Sequence, residues 1–311
     1  MARWRVLRPM KQTALSLILA GLVLAGCSRG GGGRPSGSPT GGDIVHPVGN
    51  ALILSVANSG GFVAPDFLLG ALPSFVLTGD GRVLVPGAQA AIFPGPMLPS
   101  LMERRLTEKG IQAVLAAVAE TGLFKSDLDL RGANAMVADA ADTVFTLHAD
   151  GREVTVSVYA LGFLEGTNPP PGMPGSEVLA HRALSLLQQR LSGLEQWLPA
   201  DVWADTGWKP YQPEAFRLYV RNADAEPPDG SGLPAQPPRP WPTSEDPATF
   251  GQASSGDLRC GVVSGADGAT WLAELTQSNQ LTRWTARDHR YSIIPRPLLP
   301  YEGDTCPAPM G

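Results

Sequence analysis

A chain of 311 residues with 24 basic and 29 acidic side chains, 43% of it apolar, can bury a sizeable core as one large domain or two small ones. It has no excess positive charge with which to hold phosphates, which excludes a nucleic-acid binder working through a basic face. Lysine is confined to Lys11, Lys109, Lys125 and Lys209, while Ala, Gly, Pro and Arg abound; these have GC-rich codons and point to a high-GC Gram-positive source.

The first element in chain order is an address. Arg3, Arg5, Arg8 and Lys11 precede the apolar run 14–25, about a dozen residues and short of the ~20 a spanning helix needs. The run ends in Leu24-Ala25-Gly26-Cys27, which is similar to the bacterial lipobox. Residues 1–26 therefore read as a lipoprotein signal peptide, cut before Cys27, with Cys27 as the lipidation site. An uncleaved transmembrane anchor is the competing reading; the short run, its flanks and the residues before Cys27 weigh against it. Trp4 separates Arg3 from Arg5, so no twin-arginine pair is present and the general secretion route is expected. Each buried methylene contributes about 0.8 kcal/mol, so two or three acyl chains make a persistent anchor. The expected location is the outer face of the cell membrane, or the outer membrane of a Gram-negative source, where Ser28 favours that sorting. Loss of the signal removes four basic residues and leaves 20 against 29 acidic ones, a formal charge of −9 that argues against electrostatic adhesion to anionic lipid.

Residues 27–45 carry Gly30 to Gly33, Pro35, Gly37, Pro39, Gly41 and Gly42 and read as a flexible Gly/Ser/Pro tether. A tether of this length reaches roughly 20–25 Å. A main α+β domain is expected over residues 46–225. Residues 51–57 form a β-rich run. Residues 75–85 and 143–159 are each a hairpin, turning at Asp80-Gly81 and at Asp150-Gly151, the dipeptide that supplies the positive φ angles of a tight primed turn. In the second hairpin Val154, Val156 and Val158 alternate with Thr155, Ser157 and Tyr159, the pattern of a sheet with one buried face. Both hairpins carry Phe-x-Leu-x-x-Asp-Gly-Arg, a short internal echo.

Between them lies the strongest helix signal, residues 107–121. Thr107 is the expected N-cap, Glu108 complements the dipole, and Ile111, Val114, Leu115, Val118 and Ala119 form the apolar stripe. Gly122 ends it, with Leu123 and Phe124 placed to fold back. A second helix over residues 176–193 is expected to bury Leu179, Ala183, Leu186, Leu187, Leu191 and Leu194. A short strand follows at 216–220. Residues 226–250, with eight prolines among them, read as a linker or long surface loop. A C-terminal βαββ segment, residues 251–311, is expected to pack on the main domain and contains a strand near 258–263, a helix near 267–279 and a hairpin turning at Arg287-Asp288. Hairpins separated by helices predict an α+β fold, an antiparallel sheet built from hairpins with helices packed on one face.

Three cysteines in an exported chain would leave one unpaired. Lipidation removes Cys27 from the count, so Cys260 and Cys306 are expected to form a disulfide in an oxidising compartment. Closing a loop of just under fifty residues stabilises by about 4 kcal/mol in the chain-entropy reading.

No catalytic constellation is visible. Ser264 lacks the first glycine of a nucleophile elbow and reads as a helix-entry residue. His46, His148, His181 and His289 have no partner at metal-ligand spacing and read as surface histidines. Asp127 and Asp129 loosely follow a calcium loop, but Arg131 stands where an oxygen ligand belongs and Ala138 where a glutamate belongs. Asp80 and Asp150 are explained as turn residues, and the PxxP string from Pro234 to Trp241 as a stiff loop. No metal or cofactor is called for.

Gly79-Asp-Gly-Arg-Val83, Pro94-Gly-Pro-Met-Leu-Pro99, Arg105 to Leu115, Phe145 to Gly162 and Arg296-Pro-Leu-Leu-Pro300 together resemble a set of uncharacterised actinobacterial lipoproteins. The likeness covers most of the mature chain. It implies an envelope location and a high-GC source, and carries no activity or catalytic residue across. The expected function is a lipid-anchored extracytoplasmic envelope protein, a non-catalytic binding or structural module. Its expected partners are the membrane, through the acyl chains, and an envelope protein or ligand of unknown identity. The alternatives are a solute-capture lipoprotein of a transporter and, after it, a surface hydrolase with a site built from distant residues.

Overall fold

The computed structural model describes residues 42–131, 137–163, 173–227, 230, 232–234 and 236–307. Cys27, the signal segment and nearly all of the tether lie outside them. The compact unit Asp43–Gly311 holds all the secondary structure given below. Its first fixed point is Ile44, whose N–H donates to Gln112 Oε1 while Gln112 Nε2 donates back to Ile44 O, each at 2.9 Å. The N–H of Asp150 donates to Val45 O at 2.7 Å. The end of the expected tether is thus already built into the fold.

Eight strands form the first sheet: β1 (Leu52–Gly60), β2 (Phe75–Thr78), β3 (Arg82–Pro86), β4 (Leu101–Arg105), β5 (Leu128–Leu130), β6 (Ala141–Ala149), β7 (Arg152–Tyr159) and β8 (Lys209–Pro210), in the spatial order β5-β7-β6-β1-β2-β3-β4-β8. The two expected hairpins flank β1, which pairs antiparallel with both β2 and β6. Register places Val156, Phe145, Val56 and Phe75 in one row and Val154, Leu147, Leu54 and Leu77 in the next. All eight side chains are buried. Helix α1 (Pro65–Gly70) belongs to the other half of the molecule, while α2 (Glu108–Glu120) and α3 (Gly175–Ser192) share the core of these rows through Val114, Leu115, Leu184 and Leu187. Such leucines contribute about 1.5–3 kcal/mol each by leaving water. Phe124, past the Gly122 stop, meets Phe145 edge to face at 6.2 Å. A single turn, α4 (Leu194–Trp197), continues α3.

Six strands form the second sheet: β9 (Ala215–Asn222), β10 (Arg239–Pro240), β11 (Gln252–Ala253), β12 (Arg259–Ser264), β13 (Trp284–Ala286) and β14 (His289–Pro297), ordered β10-β13-β14-β9-β12-β11. Helix α5 (Gly265–Thr276) packs on one face. There the core is aromatic: Trp271 meets Trp241 at 4.8 Å and Trp284 at 5.0 Å, both edge to face, with Phe250 and Tyr291 around them. The two halves meet on the helix-free face of the first sheet, where Val76, Leu84 and Leu101 pack with Leu299 and partly buried Tyr211 and Tyr301. Burial pushes Tyr211 and Tyr301 up to about 12, so both hydroxyls stay protonated.

The fold is α+β and mostly antiparallel, with two departures: β5 runs parallel to β7, and β10 parallel to β13. Four further expectations change. The strand expected to close the main domain, β9, lies instead in the middle of the second sheet, between β14 and β12. The proline-rich stretch is not a free linker: Arg239 and Pro240 pair with β13, and Trp241 joins the aromatic core. The first hairpin does not turn on two residues. Thr78 and Arg82 bracket the three-residue loop Gly79-Asp80-Gly81, and only Gly81 takes a positive φ, 81°. The loop is fixed by crowding, since a Cβ on Gly81 would stand 2.2 Å from Leu106 O. Asp150 and Gly151, with φ of 51° and 69°, do make the expected two-residue turn. Finally, α3 is rotated from its expected face: Leu179 and Leu186 are exposed, while Ala180, His181, Leu184, Leu187 and Leu191 are buried. The leucines of this helix span a broad arc of its surface, so their spacing alone did not fix its phase.

Candidate functional site

Cys260 and Cys306 are joined, with an S–S length of 1.99 Å and Cα atoms 6.0 Å apart. The bond ties the segment after β14 to β12, which gives that segment a place on the helix-free face of the second sheet.

That face carries the charge. Along β9, Phe216, Leu218 and Val220 enter the aromatic core, so Arg217, Tyr219 and Arg221 point the opposite way. Arg217 lies directly across from Arg296 on β14. Like charges in that position repel, and both residues are only 8% exposed. Arg296 is compensated: Nη1 donates to Glu302 Oε2 at 2.7 Å and Nε to Ala71 O at 3.0 Å. Arg221 is compensated as well, by Asp66 of α1 at 2.5 Å. Among the described residues the hydrogen bond of the Arg217 side chain is from Nε to Thr305 O, 3.0 Å, and no carboxylate pairs with it. The third buried arginine, Arg104 in the first sheet, differs sharply: it pairs with Glu195, donates twice to Asp205 O and lies 4.0 Å from the Trp203 ring centroid.

Arg217, Tyr219 and Arg296 line a half-open cavity of about 380 Å3. Leu68, Leu69 and Ala71 of the α1 region make an apolar wall, and the far end of β1 contributes Asn58, Ser59 and Gly60. Ser254 and Ser255, in the turn before β12, add two hydroxyl groups, and Pro307 closes the side held by the disulfide. The arrangement offers guanidinium and hydroxyl donors beside hydrocarbon, which is the chemistry of a binding site for a small polar-headed molecule.

The other residues singled out in the sequence do not converge. Among the described residues no three His, Cys, Asp or Glu side chains are grouped to hold a metal ion. Asp127 accepts from Thr155 N at 2.9 Å, and Arg131 pairs with both Asp129 and Asp142. Ser264 stands at the N-cap of α5 without a side-chain capping bond. Thr107 caps α2 in the same manner, its hydroxyl donating instead to Val202 O at 3.0 Å. Asp80 does more than turn the chain. Burial opposes its charge, but Thr78, the Arg82 N–H and the guanidinium groups of Arg82 and Arg105 outweigh that and hold its carboxyl below the usual range.

Two histidines are not on the surface. His46 is largely enclosed and bonds Glu108 at 3.0 Å. His181 is 1% exposed, and neither ring nitrogen has a hydrogen-bond partner. Burial pushes its pKa down, against a smaller upward pull from Glu177, so the ring is neutral in the fold. His148, 3.9 Å from Glu153, and His289, 2.6 Å from Asp224, lie nearer solvent. No helix among the described residues is long and apolar enough to cross a membrane.

Compared with protein-family models, curated proteins and solved structures, the chain matches none.

Proposed function

We propose that this protein is a lipid-anchored extracytoplasmic binding protein, held at the outer face of the cell membrane by acyl chains on Cys27. The resemblance to actinobacterial lipoproteins favours that compartment. In this reading the first sheet, with α2 and α3 on one face, is the scaffold, and the cavity floored by β9 and β14 is the binding site. The observation that carries it is the buried, uncompensated Arg217 at the floor of that cavity. A cation that faces a cavity with no carboxylate beside it is a feature of sites that act on other molecules. Capture of a solute is favoured over a purely structural role because the charge faces a cavity and not a flat surface.

Two measurements test the proposal. Cys27→Ala should shift the protein from the membrane fraction to the soluble one or leave the precursor uncut; an unmodified Cys27 in membrane-bound wild type would refute the anchor. A thermal-shift screen of sugars, peptides, organic acids and inorganic anions should yield at least one compound whose stabilisation Arg217→Gln removes. A blank screen would remove the binding reading and leave a structural module.

A further inference from the structure

The floor of the cavity has a definite charge. Arg217 and Arg296 lie side by side and Glu302 neutralises one of them, which leaves a single positive charge. One charge calls for one opposite charge. The guanidinium of Arg217 is also planar, with a fork of donors that fits a carboxylate through two parallel bonds. Its Nε is already used on Thr305 O, so Nη1 and Nη2 are the edge left to meet such a group. Above this floor the surroundings change. Leu68, Leu69 and Pro307 are apolar, while Asn58, Ser59, Tyr219, Ser254 and Ser255 place polar groups around them. Hydrocarbon beside a lone guanidinium suits a ligand with one anionic end and an apolar body. It does not suit an inorganic dianion, which would need a second cation and would gain nothing from Leu68 and Leu69.

We infer that the cavity between α1 and the second sheet binds a monocarboxylate with an apolar body, its carboxylate on Arg217 and its hydrocarbon against Leu68 and Leu69. This rests on the reading of the cavity as the binding site and narrows it to a ligand class. The disulfide is part of the device. Cys306 fixes the position of Thr305, whose carbonyl orients the Arg217 guanidinium through Nε, and of Pro307, which closes the wall.

The test is calorimetric titration of the mature protein, in chloride-free buffer, with octanoate, octanol and inorganic phosphate. Octanoate should bind saturably, and octanol and phosphate should not. Arg217→Gln should weaken octanoate about tenfold or more, the scale of one charge-assisted pair. Arg217→Lys, which keeps the charge and loses the fork, should fall between the two. It also serves as the test if the glutamine variant does not fold, since lysine binding as tight as wild type would then overturn the carboxylate geometry. Octanol binding as tightly as octanoate, or octanoate unaffected by Arg217→Gln, would overturn the inference. Phosphate bound in place of octanoate, and lost in Arg217→Gln, would overturn the ligand class while sparing the cavity as a binding site. If no titrant binds and the thermal-shift screen is blank as well, the site reading falls with it.

Discussion

The eight-stranded sheet buries apolar side chains on both faces, whereas the six-stranded sheet buries aromatic rings on one face and arginines on the other. In the first sheet Phe145, Val56 and Leu77 meet the helices, and Val76 and Leu84 meet the second half of the molecule. Its buried Arg104 is held by Glu195, Asp205 and Trp203. In the second sheet Trp271 and Trp284 fill the space beneath α5, and the reverse side presents Arg217 with a single carbonyl partner. The difference separates what holds the fold from what could act on another molecule. Arg104 has its partners within the fold, whereas Arg217 faces a cavity with no carboxylate beside it.

The largest expected effects lie in the two cores. Trp271→Ala should cost about 3–5 kcal/mol and Leu115→Ala about 2–5 kcal/mol, measured by urea denaturation, because both side chains are almost fully buried. A value under 1 kcal/mol at either position would mean that its core is not packed as described. Next comes the disulfide. Cys306→Ala, made together with Cys260→Ala, should lower stability by about 2–4 kcal/mol. It should also weaken any cavity ligand, since Thr305 and Pro307 lose their tether. Unchanged ligand affinity in the double variant would detach the disulfide from the site.

A smaller effect depends on pH. The ring of His181 is buried and neutral, and its folded pKa lies below the ordinary 6.5. Between these two values the unfolded chain binds a proton that the folded chain does not, so stability is full above 6.5 and falls as pH drops below it. His181→Leu should flatten that fall between pH 7.5 and 5.5 relative to wild type. Identical pH profiles for the two proteins would show that His181 is not buried neutral. Smallest of all is Arg217→Gln without ligand. Removing one of two adjacent like charges relieves repulsion, and glutamine can still donate to Thr305 O, so the melting temperature should stay within a few degrees or rise. A large fall would make Arg217 a structural residue and erase the contrast between the two sheets.

Much of the first sheet could be read from the chain because its signals are local. Asp150-Gly151 carries its own turn, the Val154, Val156, Val158 alternation its own buried face, and the stripe from Ile111 to Val118 its own helix. The disulfide followed from parity, once Cys27 was set aside. The second sheet was poorly legible because it is assembled from distant pieces: β9, β12 and β14 are neighbours only after a long proline-rich stretch folds back through Trp241. The site was missed for the same reason. Phe216, Leu218 and Val220 announce a strand, and the alternating Arg217, Tyr219 and Arg221 hint at a polar reverse side. Nothing in sequence spacing, however, sets Arg217 against Arg296 and leaves only one of them with a carboxylate. His181 escaped because the expected buried face of α3 included Leu179 and Leu186, which are exposed.

The most direct test of the division between scaffold and site is hydrogen–deuterium exchange of the disulfide-bonded protein with and without saturating octanoate. Binding at the cavity should slow exchange in the turn at Ser254 and Ser255, in the segment from Thr305 to Pro307 and at the end of β1, and leave α2 and the β6–β7 hairpin unchanged. A second cavity, of about 220 Å3 and lined by Leu115, Phe124, Leu147 and Val154, lies between that helix and that hairpin. Protection there, with none at Ser254, Ser255 or Thr305, would place the ligand in the scaffold and contradict the account.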